Sequence, residues 1–119
     1  MEIAHIVTPV PVDPSSDLFT AQPITFETMR RAQTLAAPYL DVNLFCTQFA
    51  WDGRVAPVGF ERALDLDRTV LDVTQFKVPR LLPLLADILD RLYHASNADY
   101  FIYTNVDIAL QPKFYMAVN

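Results

Sequence analysis

The sequence predicts a three-layer α/β domain: a mostly parallel sheet with helices on its faces. Two observations carry this. Strand-like and helix-like segments alternate along the chain, and that order places successive strands parallel, joined by crossover helices. The strand-like segments are short, nearly continuous apolar runs, as expected of strands covered on both faces. With 52% hydrophobic residues in a chain of 119, there is material for one core and room for one domain at most.

Residues 3–10 read as the first strand, with Ile3, Ala4, Ile6 and Val7 as its apolar run. Pro9 and Pro11 close it, because proline cannot donate to a ladder. Residues 12–22 read as a proline-rich loop, with Pro14, Ser15, Ser16 and Asp17 as turn formers. A helix is predicted over residues 23–39, with Pro23 in its first turn and Thr25 as an alternative cap. Phe26, Met29, Ala32, Ala36 and Leu40 recur at steps of three and four and form its core stripe. Residues 42–50 read as a second strand, followed by a turn at Trp51-Asp52-Gly53-Arg54.

Beyond this turn the pattern loses its period, and residues 69–73 are compatible with a short strand. A second helix is predicted over residues 79–95, with Leu81, Leu82, Leu85, Ile88, Leu89 and Leu92 facing the sheet. Asp87 and Arg91 are spaced to pair on its exposed side. Tyr100–Tyr103 is an aromatic, β-branched strand, and a last helix begins near Gln111. These elements fall short of a finished α/β domain, so the chain reads as the N-terminal, incomplete part of one.

Composition narrows the function. A net charge of −5, with the Lys and Arg residues scattered, is unsuited to meeting nucleic-acid phosphates. Arg30-Arg31, the adjacent basic pair, reads as a solvated helix edge. Cys46 is the single cysteine, reads as a buried inert thiol, and by itself makes neither a disulfide nor a zinc site. No apolar run reaches the roughly 20 residues of a membrane span, and no signal peptide is visible. A cytoplasmic location is the default expectation. The two glycines do not form a phosphate loop, and no nucleophile–histidine spacing stands out.

The chemistry-bearing stretch is Asn105-Val106-Asp107, directly after the Tyr100–Tyr103 strand. Strand ends of this kind open onto the ligand crevice of a parallel sheet. Alternation puts both oxygen-bearing side chains on one side, and carboxylate and amide oxygens suit Mg²⁺ or Mn²⁺. The same residues also serve as ordinary turn formers.

Residues 100–107 resemble the strand and Asp-x-Asp motif of GT-A-fold glycosyltransferases, and the order of elements before them is similar to that family's. The resemblance implies a Rossmann-like sheet of the GT-A type, a nucleoside diphosphate sugar as donor, an unidentified acceptor and a divalent Mn²⁺ or Mg²⁺. It implies that Thr8, Pro9 and Val10 lie beside the base or ribose, that Asp52 reads the base, and that Arg80 meets the phosphates. Asn105 and Asp107 would hold the metal, Asn105 standing where the family has an acid. The family's second half, which carries the acceptor site and any catalytic base, has no counterpart here, so no catalytic residue is assigned. His5 reads as a satisfied core histidine, and His94 as a partner of a helix C-terminus. The alternative to an enzyme is a non-catalytic α/β domain that binds a protein partner through its sheet edge.

Overall fold

A computed structural model describes residues 1–49, 56–67 and 85–118. The elements run β1 (Glu2–Val7), α1 (Asp17–Ala36), β2 (Asp41–Cys46), β3 (Glu61–Arg62), α2 (Leu85–Ala95), β4 (Tyr100–Tyr103) and α3 (Phe114–Val118). Four strands form one sheet in the order β3-β2-β1-β4, and each neighbouring pair is parallel. The predicted α/β class with a parallel sheet and flanking helices is therefore what the chain adopts.

β1 lies between two strands and under two layers, which explains its unbroken apolar run. Alternation sends Ile3 and Val7 to one face, where Phe26, Met29, Ala32 and Ala36 of α1 and Tyr115 of α3 meet them. It sends Ala4 and Ile6 to the other, against Ile88 and Leu92 of α2 and Phe45 of β2. The stripe predicted for α1 is thus the stripe it buries.

The start of α1 differs from the expectation. The helix begins at Asp17, within the predicted loop, and Pro23 lies inside it. Ser16 caps it by accepting the Leu18 N–H at 3.2 Å, and Asp17 places a negative charge in the first turn. Pro23 removes one ladder bond, the one its N–H would have made to the carbonyl four residues earlier. A good cap and a 20-residue helix with a full core stripe outweigh that loss. At the other end Ala37 caps the helix, two residues before the predicted stop.

Three further expectations are corrected. β2 ends at Cys46, not at residue 50, although Phe49 still bridges Leu66 in parallel. α2 buries Ile88 and Leu92, whereas Leu85 and Leu89 are 54% and 37% exposed and do not belong to its sheet-facing side. The reason is cover: α2 rests on β1 and on β4, and among the described residues β4 is the outermost strand, so a narrow stripe finds partners there. Asp87 is buried, and Arg91 pairs instead with Asp90 at 2.7 Å and Asp67 at 3.4 Å, while donating to the Asp65 carbonyl. The short strand predicted over residues 69–73, the turn at residues 51–54 and the first residues of the predicted second helix lie outside the described residues.

β4 occupies the predicted residues, but it is the outermost strand among the described residues and is not buried: Tyr100 and Phe101 are exposed. Among the described residues no helix is long and apolar enough to cross a membrane. Cys46 is buried as a free thiol, and burial pushes it up to about 11, so it stays protonated and inert. Arg30 and Arg31 both pair with Glu27 on the outside of α1, which makes them the solvated edge expected of them.

Candidate functional site

The strand order fixes where a site belongs. From β1 the chain moves to β2 and β3 on one side, and then returns to place β4 on the other side of β1. Connections diverge between β1 and β4, so the crevice beyond their C-terminal ends is the topological switch point of this sheet. A cleft of about 230 Å³ lies there, lined by Thr8, Val10, Leu18, Tyr103, Asn105, Val106 and Asp107. It joins the two stretches that the sequence singled out separately: the exit of β1 and the exit of β4.

The β1 wall is held from α1. Gln22 is buried and forms two bonds to Val10: its Oε1 accepts the Val10 N–H at 3.0 Å, and its Nε2 donates to the Val10 carbonyl at 2.9 Å. This double clasp keeps the chain extended beyond the last ladder bond. Thr8 is 8% exposed, and its hydroxyl has no hydrogen-bond partner among the described residues although it lines the cleft. A buried polar atom left in that state is costly, and a ligand or water oxygen in the cleft would satisfy it. Pro9 is buried and does not line the cleft, which places it behind the wall.

The β4 wall carries the polar rim. Asn105 and Asp107 are exposed and flank the buried Val106; Val106 and Asp107 lie in a turn just past β4, and both polar residues line the cleft. Tyr103 donates its hydroxyl to Asn105 Oδ1 at 3.2 Å. Burial pushes the Tyr103 hydroxyl above its ordinary range, the Asp107 charge adds to this, and it remains a donor at neutral pH. Asp107 is the one charged side chain among the lining residues.

Whether these residues suit a divalent cation turns on number. No group of three or more His, Cys, Asp or Glu side chains converges among the described residues. One carboxylate and one amide oxygen do not make a protein cage for Ca²⁺ or Zn²⁺. They do fit Mg²⁺ or Mn²⁺ that arrives with phosphates, since such ions take one or two protein oxygens and complete their shell with phosphate and water. Asp52 and Arg80 lie outside the described residues.

Three participants escaped the sequence reading. Leu18 and Gln22 fell in the predicted loop; Ser16-Asp17 as a cap and first turn was the signal that would have placed them on a helix. Tyr103 was read as strand alone. Below the cleft, His5 fulfils its expectation as a satisfied core histidine: it is fully buried, with Nδ1 2.6 Å from the Tyr115 hydroxyl and Nε2 2.7 Å from Thr104 Oγ1. Burial lowers it to about 4, so it is neutral. His94, in the last turn of α2, sits against the Asp90 carbonyl and carboxylate as a helix C-terminus favours. No protein-family model, characterised protein or solved structure matches this chain.

Proposed function

We propose that the cleft binds the nucleoside end of a nucleoside diphosphate sugar, as the donor-binding part of a glycosyltransferase of GT-A type acting on an unidentified acceptor. The observation that carries this reading is the convergence of Thr8 and Val10 with Asn105 and Asp107 at the switch point between β1 and β4. The volume supports it: about 230 Å³ suits one ring, not a whole sugar nucleotide, so the rest of the donor would extend over the rim. Val10, Leu18 and Val106 give the ring apolar contact, and the Thr8 hydroxyl gains its missing partner. The diphosphate would then pass Asp107, and the charges there require a cation. Mn²⁺ or Mg²⁺ at Asp107, with Asn105 adding a neutral oxygen directly or through water, would supply that positive charge. Arg80 and Asp52 keep the roles the resemblance implies, against the phosphates and the base.

Calorimetric titration of the full chain with UDP and with GDP, each with Mn²⁺, tests this. Binding that needs the metal and disappears in Asp107→Asn is the expected result. Absence of binding to either nucleotide by the wild type, or equal binding by Asp107→Asn, would sink the reading and leave Asn105 and Asp107 as turn residues.

One observation favours a second reading, a protein-docking edge. β4 is unpaired on its outer side among the described residues, and Tyr93, Tyr100 and Phe101 are exposed beside it. Light scattering after size exclusion separates the two: association lost in Tyr100→Lys, with no nucleotide binding, would favour the edge.

A further inference from the structure

The loop that carries Asn105 and Asp107 is exposed at both residues, yet three anchors hold it, one buried and two half-buried. Thr104, at its start, meets His5 Nε2 at 2.7 Å. Leu110 donates its N–H to Thr28 Oγ1 at 3.0 Å, and that hydroxyl donates in turn to the Thr25 carbonyl at 2.8 Å. Tyr115, in α3 just after the loop, meets His5 Nδ1 at 2.6 Å and is itself fully buried. A single imidazole in β1 thus ties both ends of residues 104–115, while Val106 and Leu110 sink into the same core as Tyr115.

An apolar residue would fill position 5 without conditions. A neutral imidazole imposes them, because one nitrogen donates and the other accepts, and each needs its partner in place. Either tautomer meets this need, since both neighbours are hydroxyls that donate or accept by rotation. The ring also stacks on Phe114 at 6.2 Å and meets the Tyr115 ring edge-on at 5.7 Å, which fixes its plane. Among the described residues, the β4 wall therefore takes its position from these bonds to β1 together with the burial of Val106 and Leu110.

We infer that His5, Thr104 and Tyr115 form a brace, buried at His5 and Tyr115, that sets the position of Asn105 and Asp107, so that His5 is a positioning residue for the cleft. Its relevance to ligand binding rests on the reading of the cleft proposed above; the brace itself does not. Thr104→Val removes the oxygen facing Nε2 at nearly constant shape, Tyr115→Phe removes the hydroxyl facing Nδ1, and Thr104→Ser keeps the hydroxyl. Amide hydrogen exchange of the ligand-free full chain is the measurement. In Thr104→Val and Tyr115→Phe, residues 104–110 should exchange about tenfold faster while β1 and β2 keep their protection, and Thr104→Ser should match the wild type. Should Tyr115→Phe fail to fold, the Thr104 pair decides alone. Unchanged exchange in Thr104→Val, an equal increase across β1 and β2, or loss of protection in Thr104→Ser would overturn the brace. With UDP or GDP and Mn²⁺, Thr104→Val should bind about tenfold more weakly than the wild type, by the same lost bond. If the wild type binds neither nucleotide, the functional reading fails, and the exchange result still decides the brace.

Discussion

β1 and β4 are hydrogen-bonded neighbours in register from Ile3 opposite Tyr100 to Ile6 opposite Tyr103, yet they reach the cleft under different cover. β1 has a strand on either side, and Ile3 through Val7 are buried without interruption. β4 has, among the described residues, a strand on one side, and it has two exposed residues and two half-buried ones. The difference continues past the strand ends. The exit of β1 is clasped twice by Gln22. The exit of β4 hangs on His5, Thr28 and two buried apolar side chains. One wall is thus part of the core. The other is fastened to it by a few bonds, and it is this wall that carries the polar groups. The contrast teaches that stability and site geometry are separable here, so substitutions in the two walls should give different signatures.

The largest effect should come from the covered wall. Ile6→Ala deletes fully buried apolar volume and should cost about 2–5 kcal/mol in a urea melt. Tyr100→Ala, in the exposed wall, should cost about 1 kcal/mol or less, because half of its surface already meets water. Equal losses would erase the contrast. The same logic separates the faces of α2: Leu92→Ala should be costly and Leu89→Ala mild.

The next effect is a pH dependence that comes from the bond between the walls. His5 titrates near 6.5 when unfolded and near 4 when folded. Between those values the unfolded chain binds the extra proton, so stability is complete above pH 6.5 and falls as pH drops toward 4. The span corresponds to about 3 kcal/mol. Its described hydrogen-bond partners, Tyr115 and Thr104, are neutral, and nothing in them offsets the burial of the imidazolium. Melts from pH 7.5 to 4 on the wild type and on His5→Gln check this, and the slope over that window should be shallower in the variant. A parallel slope in both would assign the dependence to the carboxylates.

A smaller change should follow in the first wall. Gln22→Leu removes both bonds to Val10 and should cost about 1–2 kcal/mol. Because Val10 lines the cleft, nucleotide affinity should fall with it. Stability lost with affinity intact would mean that the clasp serves the fold alone.

Much of this architecture is legible in the sequence because its signals are local. The run Ile3-Ala4-His5-Ile6-Val7 and the stretch Tyr100–Tyr103 announce strands, and steps of three and four mark the stripe of α1. The failures have physical causes. Pro23 is a strong local signal for a helix start, but the Ser16 cap and tertiary packing overrode it. The leucines predicted for α2 share one broad face with Ile88, and which of them are buried depends on how the helix lies across β1 and β4, a fact of packing that no local period encodes. The His5–Tyr115 bond spans 110 positions and leaves no trace in spacing. Asn105 and Asp107 stood out because a polar pair directly after a strand breaks the local pattern. That they share a cleft with Thr8 and Val10 follows only once β4 lies beside β1.

The smallest expected change in folding is also the sharpest probe of the polar rim. Asn105→Asp adds a carboxylate two residues from Asp107, where both side chains are exposed. Exposure screens the new repulsion, and an Asp oxygen still accepts the Tyr103 hydroxyl, so stability should change by less than about 0.5 kcal/mol. The effect on a cation should be opposite in sign and larger. One carboxylate and one amide hold Mn²⁺ weakly without phosphates, whereas two carboxylates lining one cleft add a full charge to the ligand set. Direct titration with Mn²⁺, without nucleotide, should therefore detect tighter binding in Asn105→Asp than in the wild type, and weaker binding in Asp107→Asn. Tighter Mn²⁺ binding in Asn105→Asp that persists when Asp107 is also replaced would place the ion elsewhere. Identical weak binding in all three proteins would mean that the two side chains do not converge on a common ion, and the β4 wall would then contribute shape and hydrogen bonds to the cleft, but not a metal.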